Sequence, residues 1–256
     1  MEFFIGVILG LMGGGGSILT VPLLVYIAGI NPIIATAYSL FTVGTTSAVG
    51  SIQNYYKKNI VFSTGLIIAL PSFIAVYATR RYILPALPDT IFQSGGLILS
   101  KNTFIMILFA IIMLIAALSM LTRKIRHDED EPEKMNYLIA IPSIAVAGLF
   151  MGLVGAGGGF IIIPMLVFLG GLSMRKAIGT SLLIIAINSL TGFMGDIQTI
   201  NIEWDFLLPF TMISVFGIFA GTYLHRFVNE RQLKRGFGWF VLLMAIFILI
   251  KEISVR

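Results

Sequence analysis

Gly152-Leu153-Val154-Gly155-Ala156-Gly157-Gly158-Gly159-Phe160-Ile161-Ile162-Ile163-Pro164 lies inside a run from Met135 to Met174 that carries no charged residue. The apolar part of that run, 138–171, is roughly 50 Å long as a single helix at 1.5 Å per residue. A bilayer core of roughly 30 Å needs no such length. Glycine is a poor helix former and permits backbone shapes closed to other residues. The run is therefore expected to form two helical pieces joined by a break inside the membrane.

The same unit occurs earlier, in a run uncharged from Phe3 to Tyr56, as Gly10-Leu11-Met12-Gly13-Gly14-Gly15-Gly16-Ser17-Ile18-Leu19-Thr20-Val21-Pro22-Leu23-Leu24. A shift of 142 positions lays Gly10 on Gly152, Gly13 on Gly155, Gly15 on Gly157, Gly16 on Gly158 and Pro22 on Pro164. It continues without a gap through Ala35/Ala177, Ser39/Ser181, Ser47/Ser189, Gly50/Gly192 and Asn59/Asn201. Apolar helices give scattered Leu and Ile matches by composition, but not glycines, prolines and serines in one frame. The chain divides into a first transmembrane repeat, 1–122, a charged linker, 123–136, and a second transmembrane repeat, 137–256. The linker holds His127-Asp128-Glu129-Asp130-Glu131-Pro132-Glu133, a solvated charge run expected on the cytoplasmic side.

Composition places the whole chain in lipid. The 256 residues are 57% hydrophobic and 11% charged, with mean hydropathy +0.98. A soluble domain carries about 25% charged residues. Besides the glycine segments, 3–29 and 138–171, crossings are expected at 33–55, 62–79, 102–122, 177–195, 206–224 and 236–250. Phe3 to Leu11 lacks a basic leader and a cleavage-like site, and reads as part of the mature chain. There is no cysteine, hence no disulfide, thiol nucleophile or Cys-based metal site. The net charge of +5 sits in short runs between apolar segments, which suits membrane-flanking loops and not a nucleic-acid-binding face. No Lys-Ser/Thr follows either glycine run, so a phosphate-binding P-loop is a poor reading. An enzyme would need clustered His, Cys or carboxylates at depth. None is visible, so neither catalysis, nor a cofactor, nor a metal is expected.

The charges also decide between two topologies. If each glycine segment crosses once, the halves are parallel and the 17 Lys and Arg divide 8 to 9, which sets no orientation. If each goes in and comes back as a hairpin, the halves are inverted. One side then collects 12 of the 17, from Lys57 to Arg235, and the other keeps Arg80, Arg81, Lys101, Lys251 and Arg256. The positive-inside rule favours the second arrangement, with both termini outside and the linker cytoplasmic. The expected fold is an all-α integral membrane protein of two inverted repeats, each a glycine-broken hairpin followed by three transmembrane helices.

Open backbone within a membrane survives only when buried in protein or lining a cavity. A helix that restarts after a glycine break offers free N–H groups and a partial positive charge, which suit an anion. Gly14, Gly15, Gly16 and Ser17 in the first half, and Gly157, Gly158 and Gly159 in the second, are the expected substrate contacts. Ser39, Thr42 and Thr46 share one helical face, and the matching positions hold Ser181, Ile184 and Asn188. Ser39, Thr42, Thr46, Ser181 and Asn188 complete the candidate set. Against this stands simple close packing: Gly6/Gly10, Gly148/Gly152 and Gly217/Gly221 have GxxxG spacing, and Asn188 could bond a neighbouring helix. No charged residue falls deep inside any assigned segment, and Asp196, Glu203, Asp205 and His225 fall at predicted ends.

The paired motifs, with Ala35-Thr36-Ala37-Tyr38-Ser39-Leu40-Phe41 and Ala177-Ile178-Gly179-Thr180-Ser181-Leu182 following them, resemble the TauE/SafE sulfite exporter family, also called the toluene-sulfonate uptake permease family. The resemblance covers nearly the whole chain. It implies a bacterial-type, multi-pass inner-membrane permease for sulfite, thiosulfate, organosulfonates or related anions, often an exporter. Its partners are then a small anionic substrate and the bilayer, and a homodimer is one form such carriers take. A passive anion channel is the alternative.

Overall fold

The computed structural model describes residues 7–8, 17–94, 97–122, 137–155, 157–168, 170–224 and 230–254. Within them the helices are α1 (Ser17–Tyr26), α2 (Pro32–Tyr56), α3 (Phe62–Ala86), α4 (Lys101–Thr122), α5 (Tyr137–Val154), α6 (Gly159–Phe168), α7 (Met174–Asp196), α8 (Trp204–Leu224) and α9 (Glu230–Ser254). A small antiparallel hairpin of β1 (Thr90–Ser94) and β2 (Leu97–Ser100) joins α3 to α4, an element the hydropathy pattern did not announce. Among the described residues, five helices are long and apolar enough to span a membrane: α2, α3, α4 over Lys101–Ser119, α7 and α8. Large apolar side chains face outward on them, with Phe216 69% and Ile115 62% exposed. The chain is an all-α, multi-pass membrane protein.

Local chemistry sets the element boundaries. Asn31 caps α2, its Oδ1 accepting the Ile33 N–H at 2.9 Å, and Pro32 occupies a position where a missing N–H costs nothing. α3 is α-helical over Phe62–Ala78 and then widens into a π-turn over Thr79–Ile83 before its last turn, Leu84–Ala86. Pro85 lacks an N–H for the Arg81 carbonyl, and its ring would press on that carbonyl. The wider turn relieves this, and the Leu84 N–H bonds back to the Thr79 carbonyl. So the helix passes Thr79, where the sequence segment 62–79 stopped at the first charge.

Side-chain contacts fix the direction of each helix. The repeat counterparts α2 and α7 lie against one another. A Cβ on Gly44 would meet Leu190 at 2.9 Å, one on Gly50 would meet Leu182 at 3.2 Å, and one on Gly192 would meet Leu40 at 3.2 Å. The start of α2 therefore faces the end of α7, and the two run antiparallel. α3 runs parallel to α7, from Gly65 beside Thr180 to Arg80 beside Gly195. α5 follows α3 in the same sense, Gly148 against Ser72 and Ala75, Gly152 against Thr79. This is the close approach that GxxxG spacing permits. α6 comes back, since Gly170 just beyond it abuts Thr64 near the start of α3. The second glycine segment thus enters and returns from one end. Packing is reciprocal between the halves: α3 lies on α7 as α8 lies on α2, and α4 packs along α9.

Candidate functional site

The helix α5 ends at Val154, α6 begins at Gly159, and the sequence-expected break lies between them. Gly155, Gly157 and Gly158 have φ of +67°, +65° and +74°, a region that costs an L side chain about 1–2 kcal/mol. Space forbids side chains there as well. A Cβ on Gly155 would collide with Arg80 Nη2 and with Thr36, and one on Gly157 would meet Ser189 Oγ and Val43 at 2.8 Å. The open backbone is therefore laid directly on α3, α2 and α7, and on a guanidinium.

Arg80 is fully buried, at 0% exposure, inside a helix that spans the membrane. A charged side chain buried in such a helix is costly unless it is paired, so it has a partner or a task. Its Nη1 donates to Thr36 Oγ1 at 3.0 Å and lies 3.2 Å from Asp196 Oδ2, with Asp196 itself 1% exposed. Thr36 in turn donates to the Ile33 carbonyl at 2.7 Å. The Arg80 Nε and Nη2 have no hydrogen-bond partner among the described residues. These two nitrogens form one edge of the planar guanidinium, the fork that grips two oxygens of an oxyanion. Nη2 is the atom that abuts Gly155. Ser189 Oγ, against Gly157, is likewise buried and without a partner among the described residues. A cation edge, a hydroxyl and the N-terminal N–H groups of α6 thus converge on one glycine break.

Two expectations change here. A fully buried charged residue, Arg80, does lie within a helix long enough to span, six residues before its end, because α3 continues past the point where the segment 62–79 ended. Asp196, expected at a helix end near the surface, is buried at the end of α7, where α3 crosses it. Glu203 and Asp205 are exposed, and His225 lies outside the described residues. The sequence held one signal for the pair. Under the shift of 142, Arg80 matches Thr222 and Asp196 matches Asn54, so the charges fall on an otherwise duplicated neutral pattern.

The other candidate residues divide. Gly157, Gly158 and Gly159 form the break. Gly14, Gly15 and Gly16 lie outside the described residues, and Ser17 opens α1. Ser39 Oγ is buried without a partner among the described residues, as is Ser47, the repeat counterpart of Ser189. Thr42 Oγ1 bonds Thr211 Oγ1 at 3.0 Å, tying α2 to α8, and Thr46 donates to the Thr42 carbonyl. Ser181 donates to the Ile178 carbonyl. Asn188 bonds Ser72 across α7 and α3, the helix-to-helix alternative. Phe41, Phe193 and Trp204 meet in tilted and edge-to-face contacts at 4.9–6.1 Å between centroids, with Phe193 one turn before Asp196, and wall that end with apolar surface. Among the described residues no group of three His, Cys, Asp or Glu is placed to hold a metal.

Known proteins fit this picture. The family described as sulfite exporter TauE/SafE matches residues 2–248. A probable membrane transporter protein of Xylella fastidiosa (strain 9a5c) is 30% identical over 257 residues, covering 96% of this chain and 91% of that protein. Probable membrane transporter protein YunE of Bacillus subtilis (strain 168) is 24% identical over 270 residues, covering 91% and 92%. No solved structure matches the chain. With the match running through both glycine segments, the chain belongs to the sulfite exporter TauE/SafE family of membrane transporters.

Proposed function

We propose that this chain is a secondary transporter of small sulfur-containing anions, such as sulfite, thiosulfate or organosulfonates, across the cell membrane. The carrying observation is the uncommitted Nε/Nη2 edge of buried Arg80 set against the Gly155–Gly159 break. A tetrahedral or pyramidal oxyanion offers two oxygens to that fork and a third to Ser189 Oγ or to the α6 N–H groups. Glycines at 155 and 157 let it approach the backbone.

The topology belongs to the same proposal. The antiparallel run of α2 against its counterpart α7, and the return of α6 beside α5, support inverted repeats with hairpin glycine segments. Arg80 is buried and drops out of the loop count, which widens the excess of positive charge on the linker side. Both termini then lie outside and the linker is cytoplasmic.

Uptake of radiolabelled thiosulfate, sulfite and methanesulfonate into liposomes holding the purified protein is the test. Saturable uptake with counterflow is expected for at least one of them. Uptake that never saturates and shows no counterflow indicates the passive channel, and no flux of any of the three overturns the reading.

A further inference from the structure

Asp196 raises a difficulty for an anion carrier. Its carboxylate sits 3.2 Å from Arg80 Nη1, so the ion pair presents nearly no net charge to an arriving anion. The other charged or titratable groups on the helices packed against α7 are Tyr38, Tyr55 and Tyr56 on α2, Tyr77, Arg81 and Tyr82 on α3, and Asp205 and Tyr223 on α8, whose Trp204 touches Phe193 and is preceded by Glu203; α6 has none. Among the described residues, Arg80 alone is ion-paired with Asp196. A pair kept only for structure is normally saturated with hydrogen bonds. This one leaves Arg80 Nε and Nη2 uncommitted. The first half offers a contrast, because the position matching Asp196 is Asn54, the neutral isostere of a protonated aspartate. Asn54 bonds the Gly50 carbonyl and Asn59 locally.

We infer that Asp196 is a proton-binding site of the transport cycle, and that anion and proton cross together. The inference rests on the transporter reading above. A proton from water binds the Asp196 carboxylate and gives the neutral acid. Arg80 then keeps its full charge for the anion at its Nε/Nη2 edge. On the far side the anion leaves, the acid releases its proton, and the ion pair re-forms. Each cycle moves one anion and one proton, so a monoanion crosses with no net charge and a dianion carries one negative charge.

The test uses two probes that hold no proton of their own near neutral pH: methanesulfonate, a monoanion, and thiosulfate, a dianion. Wild-type protein in liposomes carries a pH-sensitive dye inside. One proton should enter per methanesulfonate, with no response to membrane potential, whereas thiosulfate uptake should respond to potential. Asp196→Asn strands the Arg80 charge and should give less folded protein, and anion flux through the folded fraction should carry no protons and show no response to a pH gradient. Asp196→Glu, which keeps a carboxylate opposite Arg80, should retain coupling. Anion transport by the wild type without protons overturns the inference and leaves the transporter reading intact. Proton movement by Asp196→Asn at the wild-type ratio, or proton-free transport by Asp196→Glu, overturns it as well. Failure of the wild type to move any of the three anions named above overturns both.

Discussion

Asn188 on α7 and Ser72 on α3 meet at the centre of the helix stack. The Asn188 Nδ2 donates to Ser72 Oγ at 2.9 Å, and its Oδ1 lies 3.1 Å from the same hydroxyl. Ser72 Oγ also reaches the Ile68 and Ala69 carbonyls, so its single hydrogen has three acceptors within range. The amide therefore satisfies a polar group that lipid cannot. Asn188→Leu leaves Ser72 to its own backbone and should cost about 1 kcal/mol, the scale of hydrogen bonds between membrane helices. The expected result is a lower unfolding temperature in detergent with half-saturation for the anion nearly unchanged. A large change in half-saturation at unchanged stability would instead put Asn188 in the substrate path.

Gly155 makes the opposite kind of contact, one that only the absence of a side chain allows. Its positive φ costs alanine about 1–2 kcal/mol, and the added methyl would strike Arg80 Nη2 and Thr36. Gly155→Ala should insert in the membrane and lower uptake by about tenfold or more, the effect of roughly 1.4 kcal/mol on binding. Gly148→Ala is the control. It would crowd the Ser72 backbone and the Ala75 methyl of α3, away from the guanidinium, and should reduce stability more than substrate affinity. Equal losses of affinity in the two variants would remove the special role of the break.

Much of the architecture was legible because lipid imposes simple rules. Length and apolarity located the helices, and the frame-preserving repeat located the break at Gly155–Gly159. The site was less legible. Hydropathy ends a segment at its first charge, but Pro85 forces a π-turn that carries Arg80 inward and keeps α3 going to Ala86. Asp196 reads as peripheral in the sequence, since its neighbour across space lies 116 positions earlier, just beyond the hydropathic end of 62–79. Ser189 is legible as the repeat match to Ser47, yet nothing in one sequence distinguishes an uncommitted buried hydroxyl from one bonded to its own helix, as Ser181 is.

The absence of cysteine allows a direct test of topology, because single cysteines can be introduced with no background. Lys57, just past α2, and Asp89, between α3 and the β1–β2 hairpin, are both exposed. Lys101 would serve poorly, since it is 8% exposed and its Nζ donates to the Leu87 carbonyl at 3.1 Å. In intact cells a membrane-impermeant maleimide should label Asp89→Cys and not Lys57→Cys, and permeabilisation should expose the second. Labelling of Lys57→Cys without permeabilisation would overturn the orientation that puts this end of α3 with the linker on the cytoplasmic side.

The Arg80–Asp196 pair separates folding from transport. Removing one partner of a buried pair strands the other charge and typically costs about 3–5 kcal/mol, whereas removing both is often nearly neutral. Arg80→Gln should therefore lower the yield of folded protein, and Arg80→Gln combined with Asp196→Asn should restore it. Transport should not return with the fold, because the neutral amides supply no cation for the anion. Arg80→Lys keeps a positive charge but has no planar two-nitrogen edge, so it should fold and bind the anion more weakly. Yield measured by size-exclusion chromatography, set beside liposome uptake for the same three variants, checks both parts. If the double variant transports as well as the wild type, the pair is structural, and the glycine break alone must account for anion binding.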